Sequence, residues 1–317
     1  MRNVLVTGAN GYLGQGLVQN LAEQGYSVRA TARKAPARVL SGEFIVADLL
    51  ASSALDDLVE SVDCVVHLAG LAHVVGRKSA DIETFRETNC TMTLQLAERA
   101  LQSKVKRFIY ISSIGVNGAC TGLDPFTEAS TVAPHANYAV SKLEAEQGLW
   151  ELAQSGRMDV VIIRPPLIYS ASAPGNFGRL MRLIGASMPL PFALIKNERS
   201  MIALENIVDF ITLCIDHPAA ANELFLISDD ASVSTPQLIR YLAEGMGKKA
   251  LLFPFPDSLI RFGAGVVGLG SVYTQLCGSL VIDSSKAQSI LGWRPKVKPE
   301  KALVRAGEVY AKQTSRI

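Results

Sequence analysis

Thr7-Gly8-Ala9-Asn10-Gly11-Tyr12-Leu13-Gly14 is the stretch that decides the fold. It follows the short apolar run Asn3–Thr7 and opens the amphipathic run Tyr12–Glu23, so it reads as the turn between a strand and a helix. The spacing is GxxGxxG. Glycines at such a turn keep Cβ atoms out of the way, let the backbone approach a pyrophosphate, and leave a helix N-terminus free to offer N–H groups to an anion. This turn predicts a dinucleotide-binding βαβ unit.

Outward from that turn the pattern repeats. Strand-like runs recur at 27–31, 44–47, 64–68, 108–111, 160–164 and 224–227, with helical patterns at 85–102, Asn137–Ala153, 207–215 and 235–246, the last capped by Ser234. Strands apolar on both faces and separated by helices predict an α/β fold, a Rossmann-type doubly wound parallel sheet covered on both sides. After Arg164-Pro165-Pro166 the pattern loosens into loops, and 253–270, rich in Pro and Gly, shows no clear period. The expected organisation is a dinucleotide-binding domain over 1–169, with 201–230 returning to it. Residues 170–200 and 231–317 form a smaller, interleaved C-terminal α/β substrate lobe.

Composition narrows the function. Lys and Arg number 31 against 29 Asp and Glu, and a net charge of +2 excludes a strong electrostatic case for nucleic acid or an anionic membrane. At 49% hydrophobic and 19% charged, the 317 residues can fill a large core. Composition does not itself show a subunit interface; a homodimer is expected independently of it. Cys64, Cys90, Cys120, Cys214 and Cys277 are odd in number and lack CxxC spacing, which argues against a disulfide framework and for a reducing compartment. The N-terminal apolar run is too short for a signal peptide, so a soluble cytoplasmic protein is expected. The stretch 259–282 contains Arg261, Gln275 and five glycines and falls short of the ~20 apolar residues of a bilayer span. It reads as buried or interfacial structure without stable membrane insertion. No His/Cys cluster suggests a metal.

The second strand of such a unit normally ends in an acid that binds the adenine ribose. Here Thr31-Ala32-Arg33-Lys34 stands in its place, and Arg33 with Lys34 suits a 2′-phosphate, which predicts NADP(H) in preference to NAD(H). Asp48 can accept from the adenine amino group or cap the residues that follow it. Tyr138 and Lys142 stand four apart on one helical face, where the ammonium is expected to bias the phenol toward phenolate, below its usual pKa of about 10. Ser112-Ser113 ends a parallel strand, where ligands of such sheets bind. His73 faces a substrate or is an ordinary loop histidine, and His67 reads as structural.

Together these residues resemble the extended short-chain dehydrogenases/reductases, the NAD-dependent epimerase/dehydratase family that acts on nucleotide sugars. Gly8, Gly11 and Gly14 match its glycine loop. His67-Leu68-Ala69-Gly70 is similar to its HxAA segment, with Gly70 replacing the last Ala, and Asn89 matches the Asn before its fourth helix. Ser112-Ser113-Ile114-Gly115-Val116-Asn117-Gly118 resembles SSxxVYG with Asn117 replacing Tyr, and Arg164-Pro165-Pro166-Leu167-Ile168-Tyr169-Ser170 resembles RPxxxYG with Ser170 replacing Gly. The resemblance implies that Tyr138 is the general acid/base, that Lys142 tunes it and binds the nicotinamide ribose, and that Ser113 donates to the developing oxyanion. It implies cofactor contacts from Asn10, Tyr12, Leu13, Leu49, Leu68, Ala69, Gly70 and Pro165 besides the glycines, Arg33 and Asp48. Asn176 and Arg199 match positions that hold the substrate's diphosphate, whereas a second phosphate-binding Arg expected before Asp283 is lacking.

The dehydratase branch places an Asp-Glu pair where Ile114-Gly115 follow Ser113, which argues against dehydration. The chain looks most like the C4-ketoreductases of UDP-4-keto-6-deoxy-N-acetylhexosamines that serve bacterial surface polysaccharide synthesis. The alternative is a UDP-sugar 4-epimerase. A non-catalytic dinucleotide sensor would typically lose the Tyr or Lys that this chain keeps.

Overall fold

The computed structural model describes residues 2–36, 42–51, 54–71 and 81–314. Strand β1 (Asn3–Thr7) shows how the sheet is covered: Val4 and Val6 enter one core and Leu5 the other, the two-residue period of a strand buried on both faces. Helix α1 (Tyr12–Glu23) buries Leu13, Leu17, Val18 and Leu21 on the Val4 side. The chain continues through β2 (Ser27–Ala32), β3 (Glu43–Val46), α2 (Leu55–Val59), β4 (Cys64–His67), α3 (Ile82–Arg86), a π turn at Glu87–Thr91, α4 (Met92–Gln102), β5 (Arg107–Ile111), α5 (Asn137–Ala153) and β6 (Asp159–Arg164). Pro165 and Pro166, which cannot donate to a ladder, end β6. There follow β7 (Leu167–Tyr169), α6 (Gly175–Gly185), β8 (Met201–Ala203), α7 (Leu204–Asp216), β9 (Glu223–Leu226), α8 (Thr235–Gly245), α9 (Asp257–Val266), α10 (Gly270–Cys277), α11 (Ser285–Leu291) and α12 (Pro299–Thr314).

Seven strands form one sheet in the order β3-β2-β1-β4-β5-β6-β9, every neighbouring pair parallel. Helices α1, α7 and α11 cover one face, and α2, α4 and α5 the other. This is the expected Rossmann-type doubly wound fold. The strand order reverses between β1 and β4, so their carboxyl ends open a crevice. A third core gathers Tyr169, Phe177, Leu180, Met201, Leu242 and Leu303 from β7, α6, β8, α8 and α12. Because β9 returns to the main sheet between these elements, the smaller body is interleaved with the larger.

Two expectations change. The pattern at 85–102 is α3 and α4 joined through the π turn, beginning at Ile82. The stretch 253–270 holds α9, whose period is masked by Gly263, Gly265 and the prolines before it, and none of its residues is buried. The burial expected over 259–282 therefore begins only at Cys277. The Ser234 cap is present as a capping box with Gln237. No described helix is long and apolar enough to cross a membrane.

Candidate active site

The glycine turn leaves β1 at the switch point and enters α1. Gly8 has φ +66°, and a Cβ there would lie 2.8 Å from the backbone nitrogen of Ala69. A Cβ on Gly14 would lie 2.7 Å from Ala9 Cα. Gly11 caps α1 without a side chain, and the first turn of the helix carries no acid. The cradle is thus backbone throughout, at a helix N-terminus, and its chemistry fits a pyrophosphate. Leu13 is buried in the first core, and Tyr12 packs against the third. Asn10 reaches the end of β2, donating to the Lys34 carbonyl at 3.4 Å, which sets exposed Arg33 and Lys34 beside the turn. Neither cation forms an ion pair among the described residues. Asp48 is exposed and folds an Asx turn, its Oδ1 accepting from Leu50 N–H at 3.2 Å, while the Leu49 side chain is buried in the second core.

A chain of hydrogen bonds runs under the crevice from β1 to α4. The Ala69 N–H donates to Thr7 Oγ1 (3.2 Å), which contacts His67 Nδ1 (2.7 Å). On the other side, His67 Nε2 contacts Thr93 Oγ1 (3.0 Å), and Thr93 donates to the Asn89 carbonyl (2.7 Å). Since Thr93 spends its proton on that carbonyl, Nε2 carries the hydrogen, and Nδ1 accepts from Thr7. Burial, helped by the Lys142 charge, pushes His67 down to about 3, so the ring is neutral and structural as expected. Asn89, within the π turn, brackets Leu71 by accepting from its N–H (2.7 Å) and donating to its carbonyl (3.1 Å), and also donates to Ser141 on α5 (3.1 Å). A Cβ on Gly70 would meet Asn89 Oδ1 at 2.9 Å and Lys142 Nζ at 3.3 Å, which explains the glycine where Ala was the pattern.

Ser113, Tyr138 and Lys142 do come together. Ser113 leaves β5, its Oγ accepting from Gly115 N–H (3.1 Å) and standing near enough to the Tyr138 phenol to hold its pKa down. Lys142, one turn further along α5 than Tyr138, is buried. Its ammonium donates to the Ile111 carbonyl (2.9 Å) and lies 4.6 Å from the Tyr110 ring centroid and 5.9 Å from that of Tyr138. The expected phenolate bias is not met. Burial pushes Tyr138 up to about 12, only the Ser113 hydrogen bond opposes it, and the ammonium faces the strand end and the Tyr110 face instead. Burial also pushes Lys142 down to about 8 against the pull of Glu146.

Glu146 is a functional neighbour that the sequence reading missed. It lies one turn beyond Lys142 and takes a fork from Arg164, Nε to Oε1 at 3.0 Å and Nη2 to Oε2 at 2.5 Å, with side chains only 2% and 6% exposed. The Ser112 hydroxyl also donates to Glu146, and the third arm of Arg164 donates to Asn117 Oδ1 at 3.0 Å. The pair ties the ends of β5 and β6 to α5 directly beneath the triad. Asn117, standing where the family pattern has Tyr, completes it. An acid at i+4 from Lys142, on the helix's inner side, is the signal that could have found it.

In the smaller body, Arg199 donates to the Gly278 carbonyl (2.8 Å) and the Thr274 carbonyl (3.3 Å) at the C-terminal end of α10. Burial holds its guanidinium pKa below the usual value. Asn176 donates to Gln275 Oε1 at 2.7 Å. Both expected diphosphate residues thus grip α10. Pro165 is buried, its carbonyl accepting from Ile114 N–H at 3.0 Å. His73 lies outside the described residues. Among the described residues no group of side chains has the makings of a metal site.

A profile of the family described as NAD dependent epimerase/dehydratase matches residues 4–227. A UDP-glucose 4-epimerase of Vibrio cholerae is 37% identical over 99% of this chain and 97% of its own length. A dTDP-6-deoxy-L-talose 4-dehydrogenase (NAD(P)(+)) of Kitasatospora kifunensis is 26% identical over 92% of this chain and 91% of its own. The crystal structure of a UDP-glucuronic acid 4-epimerase from Bacillus cereus, in complex with NAD, superposes with a TM-score of 0.80 at 23% identity, covering 98% of this chain and 99% of that one. That last likeness is one of fold.

Proposed function

The chain belongs to the NAD dependent epimerase/dehydratase family, and we propose that it is an NADP(H)-dependent C4-ketoreductase of a UDP-4-keto-6-deoxy-N-acetylhexosamine, serving bacterial surface polysaccharide synthesis. The observation that carries the reading is the Tyr138 phenol beside Ser113 and buried Lys142, whose Nζ stands next to Gly70, itself one residue from the Ala69 that packs on Gly8 of the glycine turn. The α1 N-terminus, with Gly8, Asn10, Gly11, Tyr12, Leu13 and Gly14, holds the pyrophosphate. Leu68, Ala69, Gly70 and Pro165 line its nicotinamide side, and Asp48 and Leu49 its adenine side. Arg33 with Lys34 takes the 2′-phosphate. When bound, the nicotinamide exchanges a hydride with the sugar C4.

Burial keeps Tyr138 protonated at neutral pH, the form that gives a proton to a keto oxygen. Ser113 donates to the same oxygen as charge develops on it, and the Lys142 ammonium offsets the negative charge left on the phenolate once its proton is given, while holding the ribose. Arg199 and Asn176 meet the UDP diphosphate, for which Arg199 exchanges the α10 carbonyls for phosphate oxygens.

A second reading, UDP-sugar 4-epimerase, is favoured by the Vibrio cholerae relative. An epimerase returns the hydride it removes and must keep its cofactor, whereas a reductase must release the oxidised form each cycle. The ribose acid that would grip NAD is replaced by Ala32 and two cations, which suits exchange. Purified protein is expected to carry substoichiometric cofactor and to leave UDP-glucose and UDP-galactose, and their N-acetyl analogues, unconverted. Stoichiometric bound NAD with interconversion would establish the second reading.

A further inference from the structure

His135 stands three residues before Tyr138, in the segment that leads into α5. Two anchors fix it there. On one side the Ala133 N–H donates to the Val116 carbonyl at 3.0 Å, tying the segment to the short turn that follows Ser113. On the other, Ala136 is the extended N-cap of α5, and its carbonyl accepts from Val140 N–H at 3.0 Å. The ring between these anchors reaches back to Gly115. A Cβ on Gly115 would lie 3.5 Å from His135 Cε1 and 3.3 Å from Ser113 Oγ, so the imidazole and the Ser113 hydroxyl border one open spot. Cε1 is bonded to both ring nitrogens, so the edge of the ring that meets this spot is its hydrogen-bonding edge. His135 is exposed, and neither nitrogen has a hydrogen-bond or ion-pair partner among the described residues. His67 and His217, by contrast, are spent on Thr7 and Thr93 and on the Ala219 N–H. The Gly115 N–H already donates to Ser113, so the ring is what the protein offers to a ligand at this spot.

We propose that His135 is a specificity-determining residue that binds the C3 hydroxyl of the hexose. The proposal rests on the reading that the substrate is a 4-keto-6-deoxy sugar nucleotide. With the C4 oxygen at Tyr138 and Ser113, the groups beside it are those on C3 and C5. On a 6-deoxy hexose C5 carries a methyl group, which offers nothing to a hydrogen-bonding edge. C3 carries a hydroxyl, which both donates and accepts. Gly115 supplies the room, because a side chain there would fill the spot between the ring and Ser113. A second hydrogen bond beside the reacting carbon stops the hexose from turning about its C4 oxygen, and so fixes the face of C4 that meets the nicotinamide. A sugar that lacks the C3 oxygen loses that restraint. Because the imidazole is solvated in the free protein, its bond to the sugar replaces bonds to water, and the net gain is that of an ordinary hydrogen bond.

A binding cycle tests this without relying on turnover. UDP-6-deoxy-N-acetylglucosamine and its 3-deoxy analogue are titrated calorimetrically, with saturating NADP+, into wild type, His135→Ala and His135→Gln. Loss of the C3 hydroxyl is expected to weaken binding to wild type about tenfold, and binding to His135→Ala by less than about twofold. His135→Gln, whose amide keeps a donor and an acceptor, is expected to recover part of the difference. Equal losses in wild type and His135→Ala would overturn the proposal and leave the substrate reading standing. A wild type that binds neither sugar nucleotide would overturn both.

Discussion

Lys142 carries its charge where little solvent reaches it, and that decides how the site responds to pH. Burial holds it at about 8, below the unfolded value near 10.5. As pH rises through about 8 the ammonium is lost in the folded protein, and cofactor affinity should fall with it. Lys142→Arg keeps its charge and should remove that titration while misplacing the donor; a Kd-against-pH curve checks both. His67 acts through stability. Its folded pKa of about 3 lies below the ordinary imidazole value of 6.5, so between these the unfolded chain binds the extra proton. Its contribution is whole above pH 6.5 and falls by up to about 1.4 kcal/mol per pH unit toward pH 3. Urea titrations at stepped pH should show this slope flattened in His67→Gln; an unchanged slope would assign the acid sensitivity elsewhere. Arg33→Ala should weaken NADPH, but not NADH, roughly ten- to a hundredfold, through loss of a charge-assisted phosphate contact. Equal weakening of both would remove the 2′-phosphate role.

Helix α1 tests the cradle, because its two neighbouring glycines answer differently to a methyl group. At Gly14 a Cβ meets backbone of Gly8 and Ala9, which cannot give way without moving the turn. Gly14→Ala should cost about 1–3 kcal/mol by overpacking and weaken cofactor binding in the same variant. At Gly16, by contrast, the nearest atoms are side chains of Leu204 and Val208 at 3.6 Å, an ordinary contact. Gly16→Ala should therefore stabilise the protein by about 0.5–1 kcal/mol, the helix-propensity difference, and leave binding alone. Denaturant midpoints and cofactor titration on the two variants separate a steric cradle from a merely flexible turn.

At the scale of the whole molecule, the sheet was legible because a strand buried on both faces must be apolar at every position, as Phe108–Ile111 and Val160–Ile163 are. Helix α9 was illegible for the opposite reason: its apolar stripe faces outward, and glycines and prolines interrupt the pattern. The π turn at Glu87–Thr91 hid because the segment holds no Gly or Pro to mark a break in the helix. In the site, the turn and the Tyr138–Lys142 pair were readable from spacing, since a strand end and one helix face present them, whereas Ser113 was singled out only through the family resemblance. Glu146 with Arg164 was not, because charges far apart in sequence read as solvated until the fold buries them as a pair. The direction of the Tyr138 shift also needed the fold, since spacing shows that an ammonium is near but not where it points. On the proposed function, this triad reduces a 4-keto sugar with an exchanging cofactor. The most direct test is oxidation of added NADPH with a UDP-4-keto-6-deoxy-N-acetylhexosamine, in wild type and Tyr138→Phe. Oxidation is expected to equal product formed and to be absent without the sugar, and turnover to be 10²–10⁴-fold lower in the variant with cofactor binding retained. NADPH left unconsumed by wild type while the sugar nucleotide is turned over, or near-normal turnover in Tyr138→Phe, would contradict it.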